Sequence, residues 1–358
     1  MAALSPLERA ALLAVAILTA LAGLANYGAW PAVPRFALAT LALAGLAWLV
    51  SFATGHLGEH LGPGLTGMLQ STLGNLPELF VVIFALQKGE LVVAQTAIIG
   101  SILANALLVL GLVIIVGANR SSDGVMRFSK RLPRDTATLL LVTVFIIVLL
   151  GISLAAHDPA SHHVKSISVV GAVCLLVVYL AWLGPYLRAD RRPERGAGQE
   201  DSAARPPMDM RLIVALLVIG GIASAFVSDW FINGLEPAIR QLNLSQAFAG
   251  LVIVAIAGNA VENTAGLVLA WKRRSDLAIS VVKNSVAQIA AFLFPLLVLV
   301  SFALATTLTF ALAPVYIGAL ALTALAVWQV TGDGEAAAFE GWALVALYVV
   351  LATFTLYE

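Results

Sequence analysis

The sequence reads Gly74-Asn75-Leu76-Pro77-Glu78 in one apolar segment and Gly258-Asn259-Ala260-Val261-Glu262 in another. Both stretches have the pattern G-N-x-x-E, and an offset of 184 residues separates them. Each acid lies about 20 Å along a candidate helix, because an α-helix rises about 1.5 Å per residue. If these segments cross a bilayer, both carboxylates lie near its middle.

The composition of the whole chain indicates a membrane protein. Of its 358 residues, 61% are apolar and 11% are charged, and the mean hydropathy is +0.97. Soluble domains carry about a quarter charged residues. The 20 basic and 20 acidic residues balance, which argues against a nucleic-acid partner. The single cysteine, Cys174, excludes an internal disulfide. We therefore expect an all-α polytopic membrane protein, since lipid cannot satisfy an open sheet edge.

The hydropathy pattern predicts about eleven transmembrane helices, since a bilayer core needs about 20 apolar residues per span. A secretory signal peptide is the alternative for the first of them. The predicted spans are residues 10–27, 34–54, 64–87, 91–118, 135–155, 165–187, 211–232, 246–270, 276–303, 306–330 and 338–357.

The two motifs indicate an internal repeat. They lie in the third and eighth predicted spans, and an odd separation of five spans reverses the direction of crossing. The same offset maps Ser101 onto Ser285. Inverted repeats with interrupted helices place a substrate site near the midplane. We predict an extra N-terminal helix at residues 1–33 and two inverted five-helix repeats at residues 34–187 and 211–358. A linker at residues 188–210 joins the two repeats.

The basic residues predict the orientation of the chain. Loops after even-numbered spans carry most of the Lys and Arg, which places those loops in the cytoplasm by the positive-inside rule. The N-terminus is then cytoplasmic and the C-terminus lies outside. The linker at residues 188–210 is polar, and we expect a solvated connector; the alternative is a regulatory segment that senses a cation or a lipid.

The acids and amides of the motifs are candidate cation ligands. Asn75 and Glu78 are three residues apart, as are Asn259 and Glu262, so each pair shares a helix face. A lone carboxylate in lipid costs at least a few kcal/mol and needs a proton, a metal ion or a cationic partner. Oxygen ligands suit calcium, which takes six to eight of them. Two close acids would hold two protons or one divalent ion, and this competition gives exchange.

Other residues of these spans weaken the helices or add polar groups. Gly74 and Gly258 loosen the helix before each acid, and Pro77 leaves the carbonyl of Leu73 without its usual partner. Polar side chains on the following spans are candidate secondary pore-lining residues, although such groups also join helices without binding ions. These candidates are Ser101, Asn105, Lys283, Asn284, Ser285 and Gln288. Lys283 either reaches the cytoplasmic surface or faces the cavity and pairs with Glu262.

These motifs resemble the calcium/proton exchangers of the calcium/cation antiporter superfamily. The first match includes G-N-L-P-E-L and G-S-I-L-A-N-A-L-L-V-L-G, and the second includes G-N-A-V-E-N and Q-I-A-A-F-L-F-P-L-L-V-L. The resemblance covers about a third of the chain. It implies that Glu78 and Glu262 carry the cation and the protons, and that Asn75 and Asn259 contribute to binding.

The chain departs from the family pattern at several positions. Asn263 replaces a histidine, Asn284 stands where the family has glycine, and Lys283 precedes it where a small or apolar residue is usual. Pro77 stands where the family has a small or hydroxyl residue. These departures bear on cation selectivity, because a resident ammonium in the cavity would favour monovalent ions.

We therefore predict a calcium/proton antiporter that works by alternating access in a bacterial inner membrane. It is not an enzyme, it has no cofactor, and its partners are the lipid bilayer, inorganic cations and protons. The alternatives on the same scaffold are a sodium- or potassium-coupled proton exchanger and a sodium-coupled calcium exchanger. A passive channel is a further alternative. An intramembrane enzyme is disfavoured because no H-E-x-x-H motif, nucleophile elbow or phosphate loop occurs.

Overall fold

A computed structural model describes residues 4–28, 30–61, 73–129, 131–189 and 208–358. Within these ranges it does not describe the side chains of residues 58–61, 131–134, 185–189, 261 and 262. The described chain is almost entirely helical, which confirms the predicted fold class. Most of the predicted linker, at residues 190–207, lies outside the described residues.

Twelve long helices, a short 3₁₀ helix at Pro159–His163 and two short strands make up the described chain. The helices are α1 Pro6–Tyr27, α2 Ala32–Leu61, α3 Leu76–Gln87, α4 Leu91–Asn119, α5 Arg131–Ala155, α6 Val164–Ala189, α7 Met210–Leu242, α8 Gln246–Gly258, α9 Ala260–Trp271, α10 Ser275–Ser301, α11 Pro314–Thr331 and α12 Ala338–Leu356. The strands are β1 Val125–Arg127 and β2 Glu335–Ala337, and they pair antiparallel.

Nine helices of the described chain are long and apolar enough to cross a membrane. The pair α8 and α9, bent by 56°, is a tenth candidate. The second half of the predicted third span, residues 64–87, corresponds to α3. Residues 62–72 lie outside the described residues. The chain is therefore an integral membrane protein, and the count of eleven spans stays a prediction.

Burial separates the helices that surround the site from those that face lipid. α4 is almost wholly buried, and α10 is the next most buried of the long spans. In contrast, Phe145 on α5, Ile219 on α7 and Val350 on α12 are large apolar side chains that are more than half exposed. Such residues are stable against lipid tails. The middle parts of α4 and α10 accordingly carry buried polar side chains, which are Thr96, Ser101, Asn105, Lys283, Ser285 and Gln288.

The helix α7 extends ten residues beyond the predicted span, to Leu242. The predicted span ended at residue 232, before Asn233, Glu236 and Arg240. In the structure these polar residues have partners on the helix or beside it. Lys88, just after α3, donates hydrogen bonds to Asp229 and Asn233 at 2.6 Å each. Asn243 then ends the helix in the left-handed conformation, at φ 54°. Asparagine adopts this conformation more readily than most residues.

Local features recur in the two halves at the offset of the motifs. Asn75 has φ −89° and ψ 12°, and Asn259 has φ −96° and ψ 16°, so both motifs interrupt the helix in the same way. The helices that follow, α3 and α9, each have 12 residues. The turns after them have a positive φ at Gly89 and at Arg273. These correspondences support the predicted repeat.

The π-helical segments recur as well. Two of the three π-helical segments in the described residues occupy Ala104–Val109 within α4 and Ile289–Leu293 within α10, and the third is Ala249–Val254 within α8. Such segments widen the helix locally and are frequent at functional sites. In both halves the π segment begins within four residues of the serine that the repeat aligns, Ser101 or Ser285.

Candidate cation site

The first motif forms the beginning of α3. The helix is interrupted at Asn75, and the regular hydrogen bonds resume with Leu79 N–H donating to the Asn75 carbonyl at 3.0 Å. Pro77 lies in the first turn of α3, where a missing N–H costs no helical hydrogen bond. The proline therefore favours a break at the motif, and Glu78 is held one residue after it, only 3% exposed.

The two motifs meet through a chain of hydrogen bonds in the protein interior. Ser101 Oγ on α4 donates to Glu78 Oε1 at 3.4 Å, and Asn259 Nδ2 donates to Ser101 Oγ at 3.0 Å. Asn105 Nδ2, one turn further along α4, donates to Asn259 Oδ1 at 2.7 Å. The structure thus brings together four of the predicted site residues, and they come from both halves of the chain.

Gly258 lets the acid of the first motif approach the second. A Cβ atom at this position would lie 2.9 Å from each of Cγ, Cδ and Oε1 of Glu78. Real Cβ atoms almost never approach other atoms so closely, so a larger residue would displace the carboxylate. Gly258, which the sequence predicts to loosen the helix, therefore also has a steric role.

Both polar atoms of the Asn259 amide form hydrogen bonds in this conformation. Its nitrogen donates to Ser101 Oγ and to the carbonyl of Ala255 at 2.9 Å, and its oxygen accepts from Asn105. Asn105 also donates to the Ser101 carbonyl at 2.9 Å. The Oδ1 atom of Asn105 is buried and has no hydrogen-bond partner among the described residues. It is therefore an oxygen that a cation could contact.

The second half supplies polar residues at the matching depth. Ser285 and Gln288 are 4% and 9% exposed, and Asn75 of the first half is similarly buried, at 4%. The Ser285 hydroxyl is buried with no hydrogen-bond partner in the described part of the chain, and Asn284 is half-buried. The backbone of Glu262 lies in the first turn of α9, but its side chain lies outside the described residues. Its meeting with Ser285, expected from the repeat, stays a prediction.

Lys283 is buried between α10 and α11. Its side chain is 1% exposed, and Nζ donates to Thr331 Oγ1 at 3.0 Å. The snorkelling alternative is wrong, because the ammonium does not reach the surface. Two residues along a helix correspond to a rotation of about 200°. Lys283 and Ser285 therefore point to nearly opposite sides of α10.

Sequence reasoning missed the close crossing of α4 and α8. A Cβ at Gly100 would lie 2.5 Å from the backbone Cα and O of Leu251, and one at Gly250 would lie 2.0 Å from Thr96 Oγ1. Small residues permit such approaches between membrane helices. This contact lies beside Ser101 and packs α4 against α8, which ends directly before Asn259. The signal was present as glycines within apolar spans, but their partners could not be inferred.

Glu90, just before α4, is an acid for which the sequence predicted no role. Gln246 Nε2 donates to its carboxylate at 2.8 Å. Partial burial raises the pKa of Glu90, and the nearby Glu236 carboxylate raises it further. Within the described side chains, no group of three or more His, Cys, Asp or Glu residues is close enough to hold a metal ion. The candidate site therefore depends on carboxylate, amide and hydroxyl oxygens.

Interrupted helices that bring a buried acid of one half and buried amides of both halves to one place are typical of a secondary transporter. Comparison with known sequences identifies the family. The profile described as "Sodium/calcium exchanger protein" matches residues 32–184 and 212–357, and the chain belongs to this family. The two matched segments leave out α1 and the region around the predicted linker.

Curated relatives and solved structures agree with this assignment. The chain is 31% identical to the vacuolar calcium ion transporter of Schizosaccharomyces pombe, over 92% of this chain and 81% of that protein. It is 30% identical to a Ca(2+)/H(+) antiporter of Aphanothece halophytica, over 90% of each chain. The solved structure of native YfkE superposes with a TM-score of 0.80 at 25% identity, covering 97% of this chain and 100% of that one.

Proposed function

We propose that this chain is a calcium/proton antiporter that works by alternating access. The observation that carries the proposal is the contact between the two motifs. Glu78 of the first motif packs against Gly258 of the second, and it is linked to Asn259 through Ser101. The relatives with similar sequences are a calcium transporter and a Ca(2+)/H(+) antiporter. No resident cofactor is needed for this activity, because calcium and protons are the transported substrates.

We assign the binding of the calcium ion to oxygen atoms from both halves. Glu78 and Glu262 supply two negative charges, which balance a divalent ion. Asn75 and Asn259 lie at the helix interruptions, and Asn105 and Ser285 carry buried oxygens without hydrogen-bond partners in the described structure. Calcium accepts six to eight oxygens at about 2.3–2.6 Å in a tolerant geometry. This donor set suits a hard cation and disfavours metals that prefer nitrogen or sulfur.

The network around Asn259 supports a switch between the two substrates. In the present conformation the amide oxygen of Asn259 accepts from Asn105, so a cation at that oxygen would compete with the amide N–H. A calcium ion would displace this hydrogen bond and take the oxygen. When protons replace calcium on the acids, the amide network can form again. The same few groups therefore hold either the ion or each other.

Coupling follows from the cost of an empty, charged site. Two ionised carboxylates in a buried site, without a cation, would cost several kcal/mol. The reorientation step is then permitted only for a site that holds calcium or protons. Uncoupled leakage would require the empty, doubly ionised site to reorient. This requirement makes the exchange obligatory without any moving lid.

We place the protein in a bacterial inner membrane with a cytoplasmic N-terminus. The excess of Lys and Arg in the loops after even-numbered spans supports this orientation. Strand β1 follows α4, which is the fourth predicted span, and strand β2 follows α11, which is the tenth. Because the two strands pair, both of these loops lie at one end of the protein. A cysteine-accessibility assay on whole cells, at Ser122 and at Ala160, would test the orientation.

Calcium uptake into proteoliposomes tests the proposed function. An outwardly directed proton gradient should drive the uptake of radioactive calcium in a sodium-free medium. The variants Glu78→Gln and Glu262→Gln should lose this uptake, because an amide cannot exchange protons. Glu236→Gln, at a partly exposed acid outside the site, is the matched control and should retain it. Uptake that needs a sodium gradient, or that ignores the pH gradient, would contradict proton coupling.

A further inference from the structure

A polar cleft lies at the end of the protein where β1 and β2 pair. Its volume is about 520 Å³, and it is bounded by the end of α4, the segment around β1, and the turn between α9 and α10. Side chains of Asn119, Arg120, Ser121, Arg127, Arg273 and Ser275 line it. The proposed transport mechanism does not use this cleft.

The cleft has an excess of positive charge. Arg127 Nη1 lies 2.7 Å from Asp123 Oδ2, and Arg127 Nε lies 3.5 Å from Glu335 Oε2, so its guanidinium is already paired. The hydrogen bond from Arg127 lowers the pKa of Asp123, which keeps this carboxylate ionised and engaged. Arg120 and Arg273 have no carboxylate partner among the described residues. Two guanidinium groups are therefore left to meet an anion.

Arg273 occupies a backbone position that favours glycine. Its φ is +58°, and the equivalent position of the first half is Gly89, with φ +82°. A side chain in the left-handed conformation costs about 1–2 kcal/mol. The first half avoids this cost, whereas the second half retains an arginine and places it in the cleft. A folding requirement does not explain this choice, because glycine satisfies the turn.

The cleft opens where polar and apolar surfaces meet. The guanidinium carbon of Arg120 lies 4.4 Å from the centre of the Trp271 ring, and Trp271 is 59% exposed. Val268 on α9 and Leu277 on α10 are also exposed apolar side chains close to this turn. Tryptophan is enriched at the headgroup level of membranes. Basic residues beside such an apolar surface suit a ligand with a phosphate and acyl chains.

We propose that this cleft binds the headgroup of an anionic phospholipid, on the side of the membrane that the basic loops assign to the cytoplasm. Arg120 and Arg273 would contact the phosphate oxygens, since guanidinium groups bind phosphate through paired N–H donors. Trp271, Val268 and Leu277 would contact the acyl chains. A soluble phosphate would use only the first of these two surfaces, which is why we favour a lipid. Basic pockets on the cytoplasmic side of membrane helices are suitable for anionic headgroups.

Thermal unfolding of the full-length protein in detergent tests the proposal. Added phosphatidylglycerol should raise the unfolding midpoint, whereas phosphatidylcholine with the same acyl chains should not. Arg273→Gly should fold normally, because it restores the residue that the first half uses, and it should lose most of this shift. Lys165→Gln removes a charge from an exposed residue outside the cleft and should keep the full shift.

Native mass spectrometry supplies a second readout on the same samples. The wild-type protein should retain one more phosphatidylglycerol molecule than Arg273→Gly or Arg120→Gln. The proposal is overturned if Arg273→Gly keeps the whole shift and the bound lipid, or if Lys165→Gln loses as much. It is also overturned if inorganic phosphate gives the same shift as phosphatidylglycerol, because the ligand is then a soluble anion. These readouts do not depend on calcium transport, so they are independent of the proposed function.

Discussion

The steric role of Gly258 leads to a quantitative prediction for Gly258→Ala. The new Cβ would lie 2.9 Å from three atoms of Glu78. Carbon atoms pack best at about 3.5–4.0 Å, so the carboxyl group must move by about 0.6–1 Å. That movement would break the bond from Ser101, which is already 3.4 Å long. Because a hydrogen bond of this length is weak, its loss and the displacement of the carboxyl group should cost about 1 kcal/mol, and we expect calcium binding to weaken about fivefold.

The same substitution should leave the fold largely intact. Alanine is about 1 kcal/mol more favourable than glycine in a helix, and the clash is with the end of a flexible side chain rather than with backbone. The assay is the apparent calcium affinity in proton-driven uptake, with thermal unfolding measured in parallel. Gly318→Ala on α11 is the control, because its Cβ would meet nothing within 4 Å. Wild-type affinity in Gly258→Ala would refute the proposed position of Glu78.

Three further substitutions test the packing, the electrostatics and the lysine. Gly100→Ala should destabilise the protein by about 1–3 kcal/mol and lower its unfolding midpoint, because the backbone of Leu251 cannot yield; an unchanged midpoint would contradict the close crossing. Burial raises the pKa of Glu90, so its ionised form costs stability above the raised pKa. Glu90→Gln should therefore unfold at a higher temperature than the wild type at pH 8, and this difference should disappear as the pH falls towards 4.5. A difference that does not change with pH would contradict the raised pKa of Glu90. Lys283→Met should keep the unfolding midpoint and leave calcium affinity within about threefold, since the lysine contacts Thr331; a change in cation selectivity would place it in the ion path.

The sequence predicted that the two halves share one site but did not predict which residues meet there. The parity of the spans predicted inverted repeats, which place a site at their interface, and Ser101 and Asn105 were candidates for lining it. In the structure both of them form hydrogen bonds with Asn259. Burial depth was also predictable, because Glu78 lies in the middle of an apolar run and is 3% exposed.

The direction of individual side chains could not be predicted in the same way. Hydropathy gives the depth of Lys283 but not the helix it faces, and the choice between the surface and the cavity therefore stayed open. Only the rotation between positions 283 and 285, together with the position of Thr331, shows that the lysine faces α11. The steric role of Gly258 was equally hidden, since it depends on an atom 180 residues away in the sequence.

Helix boundaries were predicted where apolar runs end in unpaired polar residues. The prediction was too short for α7, which continues beyond residue 232. Lys88 pairs there with Asn233, and it also pairs with Asp229 one turn earlier. Pro77 was interpreted as weakening the helix at the motif, and the structure places it in the first turn after the interruption at Asn75. The local pattern at Pro77 therefore indicated the interruption, whereas the end of α7 depended on tertiary partners.

The most direct test of the central claim is the number of protons released when calcium binds. The purified protein can be titrated with calcium in a weakly buffered detergent solution that contains a pH indicator. If calcium and protons share the motif acids, the wild-type protein should release protons as it binds calcium, and Glu78→Gln should release fewer. Calcium binding without proton release, or full release in Glu78→Gln, would contradict the account.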